Sequence, residues 1–127
     1  MTPTILRSAV YLPVADVAAS AAYYADTLGF AVEYLAGTPP EFAICARNGW
    51  PVMLRRVDDP GRIRPVASQG GTWDVFFWVD DAEALHAELL ARGATIAYGP
   101  IRQAAYHMLE FAVRDADGHV LGFGQDL

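Results

Sequence analysis

The stretch Val75-Phe76-Phe77-Trp78-Val79-Asp80-Asp81-Ala82-Glu83-Ala84-Leu85-His86-Ala87-Glu88-Leu89-Leu90-Ala91-Arg92-Gly93-Ala94 runs from an apolar segment through paired acidic residues into a helical pattern that a glycine stops. Asp80 or Asp81 can cap the helix by accepting from its first free amides. Ala84, Leu85, Glu88 and Leu89 recur with a helical period, and Gly93 suits the left-handed position that follows a helix. The same order occurs earlier. Val10 to Val14 is apolar, Asp16 can cap, Val17 to Leu28 is alanine-rich and Gly29 stops it. Val14 and Val79 lie 65 residues apart and Gly29 and Gly93 lie 64 apart, so the chain repeats itself with a second helix one residue shorter.

Extended patterns follow each helix, near 30–36, 41–47 and 51–57 in the first copy and near 94–98, 105–113 and 119–124 in the second. Asp115-Ala116-Asp117-Gly118 fits a hairpin between the last two. Between the copies, 58–71 carries two prolines, three glycines and no apolar period, which marks a linker. The expected architecture is α+β: two βαβββ modules, about 1–57 and 72–127, in one domain spanning 1–127. Each module alone would leave one sheet face bare. Packed together, they should form a curved mixed sheet with a concave cup and helices outside.

Composition bounds the function. Nine basic residues, all arginine, stand against fifteen acidic ones, for a net charge of −6. An acidic chain without a basic stripe repels phosphate, so neither nucleic acid nor an anionic membrane is an expected partner. The lone Cys45 excludes an intramolecular disulfide and a cysteine zinc cluster. No apolar run is long enough to span a bilayer. Residues 1–14 lack the apolar core of a secretory signal, and the expected location is the cytoplasm.

Three motifs in order carry a family resemblance: Leu12-Pro-Val-Ala-Asp16 leading to Tyr23-Tyr24 and Leu28-Gly29-Phe30, Phe77-Trp-Val-Asp80 leading to Ala91-Arg-Gly-Ala94, and Glu110-Phe-Ala-Val-Arg-Asp-Ala-Asp-Gly-His119. With these the chain resembles the vicinal oxygen chelate superfamily of glyoxalases, extradiol dioxygenases and bleomycin-resistance proteins. It is most similar to the bleomycin-resistance-like binders. Ala116 stands where the turn usually has proline. The resemblance implies a divalent metal held in the cup from four strand positions, which fall here on Ala9, Met53, Asp74 and Gly122. Alanine and glycine offer no donor, and a thioether suits Cu(I) rather than the harder divalent ions. One carboxylate does not make a catalytic metal site. The expectation is therefore no metal, no other cofactor, no catalytic residue and, on balance, no enzyme.

Strand parity places Val75, Phe77 and Val79 under the second helix and turns Asp74, Phe76 and Trp78 into the cup. Val120, Gly122 and Gly124 should share that side, as should Tyr106, Met108 and Glu110. Tyr106 also matches a family position where an aromatic residue lies beside the ligand. The expected ligand-binding set is Asp74, Phe76, Trp78, Tyr106, Glu110 and Met53. Asp74 is anomalous among aromatics and calls either for an arginine such as Arg55 or for a wet pocket. His86 reads as solvent-facing, His107 and His119 form no acid–base pair, and Cys45 reads as a core residue.

Such a cup would sequester a small aromatic ligand, a metabolite or an antibiotic, by ring contact. A cationic group is an option that Asp74 and Glu110 would favour. Two alternatives stay open: a lyase or oxygenase with a displaced metal site using Asp74, His107 and Glu110, and a regulatory or scaffolding dimer module. The high apolar content (54%, mean hydropathy +0.19) and the half-open sheets also predict a homodimer.

Overall fold

Each acidic cap does start a helix. The Asp16 carboxylate accepts from Ala19 N at 3.1 Å, and the Asp81 carboxylate accepts from Ala84 N at 3.0 Å. Asp81, rather than Asp80, is thus the second cap, and it lies 65 residues after the first, at the spacing of the repeat. A computed structural model describes residues 1–127. The first module is β1 (Val10–Val14), α1 (Val17–Ala22), β2 (Ala31–Ala36), β3 (Phe42–Arg47) and β4 (Trp50–Arg56). The second is β5 (Val75–Trp78), α2 (Ala82–Ala91), β6 (Thr95–Gln103), β7 (Met108–Arg114) and β8 (Val120–Asp126).

The architecture is α+β, with βαβββ twice. The modules form two open four-stranded sheets, ordered β1-β4-β3-β2 and β5-β8-β7-β6. In each sheet the first strand pairs parallel with the last, and the other pairs are antiparallel. The repeat in sequence is thus a repeat in topology.

The covered faces of both sheets drain into one core. Leu12 and Val14 of β1, Ala43 and Cys45 of β3, and Val52 and Leu54 of β4 join Phe111 and Val113 of β7 and Leu121 and Phe123 of β8. An aromatic series crosses between modules. Tyr24 meets Phe30, Phe30 meets Phe77 at 6.2 Å, and Phe77 stacks on Phe123 at 5.4 Å, which stacks on Phe111. Polar ties reinforce it: the buried Tyr24 hydroxyl donates to Asp115 at 2.8 Å, and Arg47 makes a two-pronged pair with Glu88 at 2.7 and 2.8 Å.

Four local expectations need correction. After Ala22 the first helix widens into a π-type turn, Tyr23–Thr27, closed by Leu28 N donating to Tyr23 O. Strand β6 does not stop at Tyr98. It continues to Gln103 because bulges between Ile96 and Ile101 absorb Gly99 and Pro100. Strand β7 begins at Met108, since Tyr106 and His107 belong to a turn in which His107 takes φ +55°. His86 is not purely solvent-facing either, because its ring packs edge-on against Phe111 at 5.2 Å. Cys45 is fully buried, and burial pushes its thiol up to about 11, which keeps it protonated and unreactive at neutral pH.

Candidate functional site

Both helices cover one face of the molecule's sheets, so the opposite faces are where a ligand would meet strand side chains. In the second module, Phe76 and Trp78 alternate with the core residues Val75 and Phe77, as period two requires. Their rings lie 5.1 Å apart, and Trp73 packs on Phe76 at 4.7 Å. The floor beneath them is glycine for a steric reason. A Cβ at Gly122 would come within 2.5 Å of Trp73 and 2.7 Å of Phe76, and one at Gly124 within 2.5 Å of Phe76. Phe76 thus occupies the space that two glycines provide.

Glu110 is fully buried on this face and both carboxylate oxygens are engaged. Tyr98 donates to Oε2 at 3.1 Å, Tyr106 donates to Oε1, and Trp73 Nε1 donates to the Tyr98 hydroxyl at 2.7 Å. Tyr106 reaches Glu110 from the turn, not from the strand. Burial is the main influence that pushes the Tyr98 phenol up to about 12. The hydrogen bond to Glu110 does the same for Tyr106, also to about 12. Both phenols therefore stay protonated and donating throughout the neutral range.

Asp74 departs from both explanations expected for it. Its carboxylate accepts from Val66 N at 3.1 Å and from Val120 N at 2.8 Å, and His119 Nδ1 lies 3.5 Å away. It fastens the linker to the start of β8. Neither Arg55 nor an open wet pocket meets it, because backbone amides satisfy the charge first. The four metal-ligand positions implied by the resemblance therefore do not fit a divalent ion. Ala9 and Gly122 have no donor, Trp73 and Phe76 fill the space at Gly122, and the Asp74 oxygens already accept from the backbone. No three His, Cys, Asp or Glu side chains converge elsewhere.

In the first module the uncovered face has a different character. Register aligns Tyr11, Met53, Ile44 and Tyr34 in one row, and Pro13, Arg55, Phe42 and Ala36 in the next. Phe42 sits 6.4 Å from Tyr11 and 6.1 Å from Tyr34. Tyr11 and Tyr34 are 58% and 53% exposed, so this aromatic cluster faces outward without cover. Arg55 Nε donates to the Tyr11 hydroxyl at 3.2 Å, and its guanidinium lies over Phe42 at 5.6 Å. The tyrosine's hydrogen bond is the main influence raising Arg55 above the ordinary arginine range.

Two cavities open where the modules adjoin. One, of about 320 Å³, is lined by residues from Ser8 to Val10, by Trp50 and Pro51, and by Val75 to Trp78. The other, of about 460 Å³, includes Phe30, Phe77, Phe123, Trp50, Trp78 and Glu88. Of the expected set, Phe76 and Trp78 border the smaller cavity and Trp78 also borders the larger; Tyr106, Glu110, Asp74 and Met53 line neither. The structure thus joins Phe76 to Trp78 and Tyr106 to Glu110. It leaves Met53 on the other sheet and puts Asp74 in the scaffold. The sequence reading missed Tyr11, Tyr34, Phe42 and Trp50. Parity could have found Tyr11, since Leu12 and Val14 belong to the core.

The profile of the family described as "Glyoxalase/Bleomycin resistance protein/Dioxygenase superfamily" matches residues 5–123. A search of the curated proteins finds no match. Among solved structures, TioX from Micromonospora sp. ML1 is similar with a TM-score of 0.75 at 21% identity, over 95% of this chain and 98% of that one. TnmS3, an antibiotic binding protein from Streptomyces sp. CB03234, gives 0.71 at 23%, with both chains covered completely (100% and 100%). The bleomycin-binding protein from bleomycin-producing Streptomyces verticillus, solved with copper(II)-bleomycin, gives 0.69 at 22%, over 96% and 97%. At these identities the likeness establishes the fold.

Proposed function

The chain belongs to the glyoxalase/bleomycin resistance protein/dioxygenase superfamily, and from that membership we propose that it is a metal-free binding protein for a small aromatic molecule. The observation that carries this reading is the aromatic surface left uncovered: Tyr11, Tyr34, Trp50 and Trp78 are each at least half exposed. Rings with free faces stack on aromatic ligands and hold cations by their quadrupole, each contact contributing about 0.5–2 kcal/mol. The family's antibiotic-binding and bleomycin-binding structures are consistent with the same use of the fold. In this reading Phe76, Trp78 and Tyr106 contact the ligand. Met53 contributes from the first module, and Asp74 and Glu110 support the site by holding its scaffold. An antibiotic captured in this way would be kept from its target stoichiometrically, with no bond made or broken.

Two chains are the expected working unit. One bare face per module is a large apolar surface for a monomer, and a twofold arrangement lets the first module of one chain face the second module of its partner. Light scattering at micromolar concentration should report a mass near twice 13.8 kDa; a 13.8 kDa particle would remove this part of the reading. Calorimetry with a panel of aromatic antibiotics, with and without a chelator, tests the binding. Heat that survives chelation is the expected result. Silence across the panel would sink the proposal, and heat abolished by chelation would return the metal-dependent alternative.

A further inference from the structure

The charge of a bound molecule depends on which charged side chains stand free on the uncovered faces. A cationic group is the option that free carboxylates at Asp74 and Glu110 would favour. Yet Asp74 accepts from two backbone amides, and Glu110 is buried beneath two phenol donors. Neither has an oxygen left to offer at the surface without breaking the scaffold. At the two ends of the second module's face stand Arg114, in register with Val120, and Asp126, opposite Met108.

Arg55 is different because it stands among exposed rings and is held in place. Its Nε is fixed to the Tyr11 hydroxyl and its plane lies over Phe42. Its Nη1 and Nη2 donate to no protein atom, and it forms no ion pair. An arginine pinned at Nε presents its remaining donors as a planar fork, the geometry that matches an oxyanion. Pinning also removes side-chain freedom before the ligand arrives.

We infer that the first module carries an anion subsite at Arg55, which takes the carboxylate, phenolate or sulfonate of an aromatic ligand whose ring packs against Tyr11, Phe42 and Tyr34. This rests on the small-molecule reading of that face and deepens it: the ligand's charged group is negative, although the protein's net charge is −6.

Two fluorescent probes that differ by one anionic group separate the possibilities: anilinonaphthalene sulfonate and its uncharged parent, phenylnaphthylamine. The folded protein should bind the sulfonate more tightly, and added salt should weaken that binding. Without a local cation, salt would instead screen repulsion from the acidic protein and strengthen it. Arg55→Gln should lower sulfonate affinity about tenfold and leave the uncharged probe within about twofold. Arg114→Gln removes the same charge elsewhere and should change neither. Arg55→Lys keeps the charge without the fork and should fall between wild type and Arg55→Gln. Should Arg55→Gln not fold, as judged by near-UV circular dichroism, the lysine variant and the salt dependence still test the subsite. Equal effects of Arg55→Gln and Arg114→Gln on the sulfonate, or equal losses for both probes in Arg55→Gln, would overturn it while the aromatic site stands. If neither probe binds the wild type, the small-molecule reading itself fails and the subsite goes with it.

Discussion

The two uncovered sheet faces have the same topology and opposite finish. In the second module, Trp73 and Phe76 close over Gly122 and Gly124, and Tyr98 and Tyr106 saturate a buried Glu110. In the first, Tyr11, Phe42 and Tyr34 remain in the open with Arg55 laid among them. One face is a hydrogen-bonded wall from which Trp78 (69% exposed) and Tyr106 (46%) project, and the other is an unfilled aromatic shelf. Duplicating a βαβββ unit therefore duplicates the backbone and its core pattern, because these are set by covered-face residues. The bare faces are free of that demand and differ, one braced by hydrogen bonds beneath its rings and one left open.

That contrast can be broken most severely from the core they share. Phe77→Ala removes the ring that stacks on Phe123 and meets Phe30 across the modules. It should cost about 3–5 kcal/mol in chemical denaturation. A wild-type denaturation curve would mean that the modules do not depend on this aromatic series.

Filling the packed wall should hurt less. Gly122→Ala forces a Cβ toward Trp73 and Phe76 and should destabilise by about 1–3 kcal/mol. A neutral result would mean that the wall yields and is softer than its contacts imply. Asp74→Ala strands the amides of Val66 and Val120, with an expected loss of about 1–3 kcal/mol in thermal melts. Had Asp74 been a free ligand contact, its removal would leave stability untouched.

The phenols of the wall give a pH test. Their folded values, near 12, lie above the ordinary 10, so their contribution is complete below pH 10 and is lost as pH rises toward 12. Ultraviolet titration should show three tyrosines ionising late, these two and the buried Tyr24, which burial and the neighbouring Asp115 also raise. Tyr98→Phe and Tyr106→Phe should each remove one of them. A variant that still shows three late tyrosines would assign the late ionisation to a residue outside the wall.

The smallest effect belongs to the open shelf. Tyr34→Ala, at an exposed position, should change stability by no more than about 0.5 kcal/mol yet weaken capture of an aromatic ligand. A large loss of stability would show that the shelf is structural after all, and the contrast between the faces would disappear.

How far the sequence could be read follows from the same division. The caps at Asp16 and Asp81, the stop glycines (φ +74° at Gly29 and +90° at Gly93) and the alternation of Phe76 with Phe77 depend on neighbours a few residues away. Such signals are legible because a cap, a left-handed turn and a two-residue period are local physics. The hairpin turn was equally legible, with Asp115 accepting from the amides of Asp117 and His119. The extension of β6 past Gly99-Pro100 was not. A bulge needs a partner strand to absorb it, and only β7 reveals one.

By itself, then, the sequence determined the doubled βαβββ order and which strand faces enter the core. Each of these is a property of residue type and period. Only the tertiary structure decided where the charges went. Asp74 found two amides supplied by Val66 and Val120, Glu110 found phenols from Tyr98 and Tyr106, and Arg55 found a ring and a hydroxyl from neighbouring strands. A charged side chain settles where distant partners satisfy it, and those partners are brought near only when the strands pair.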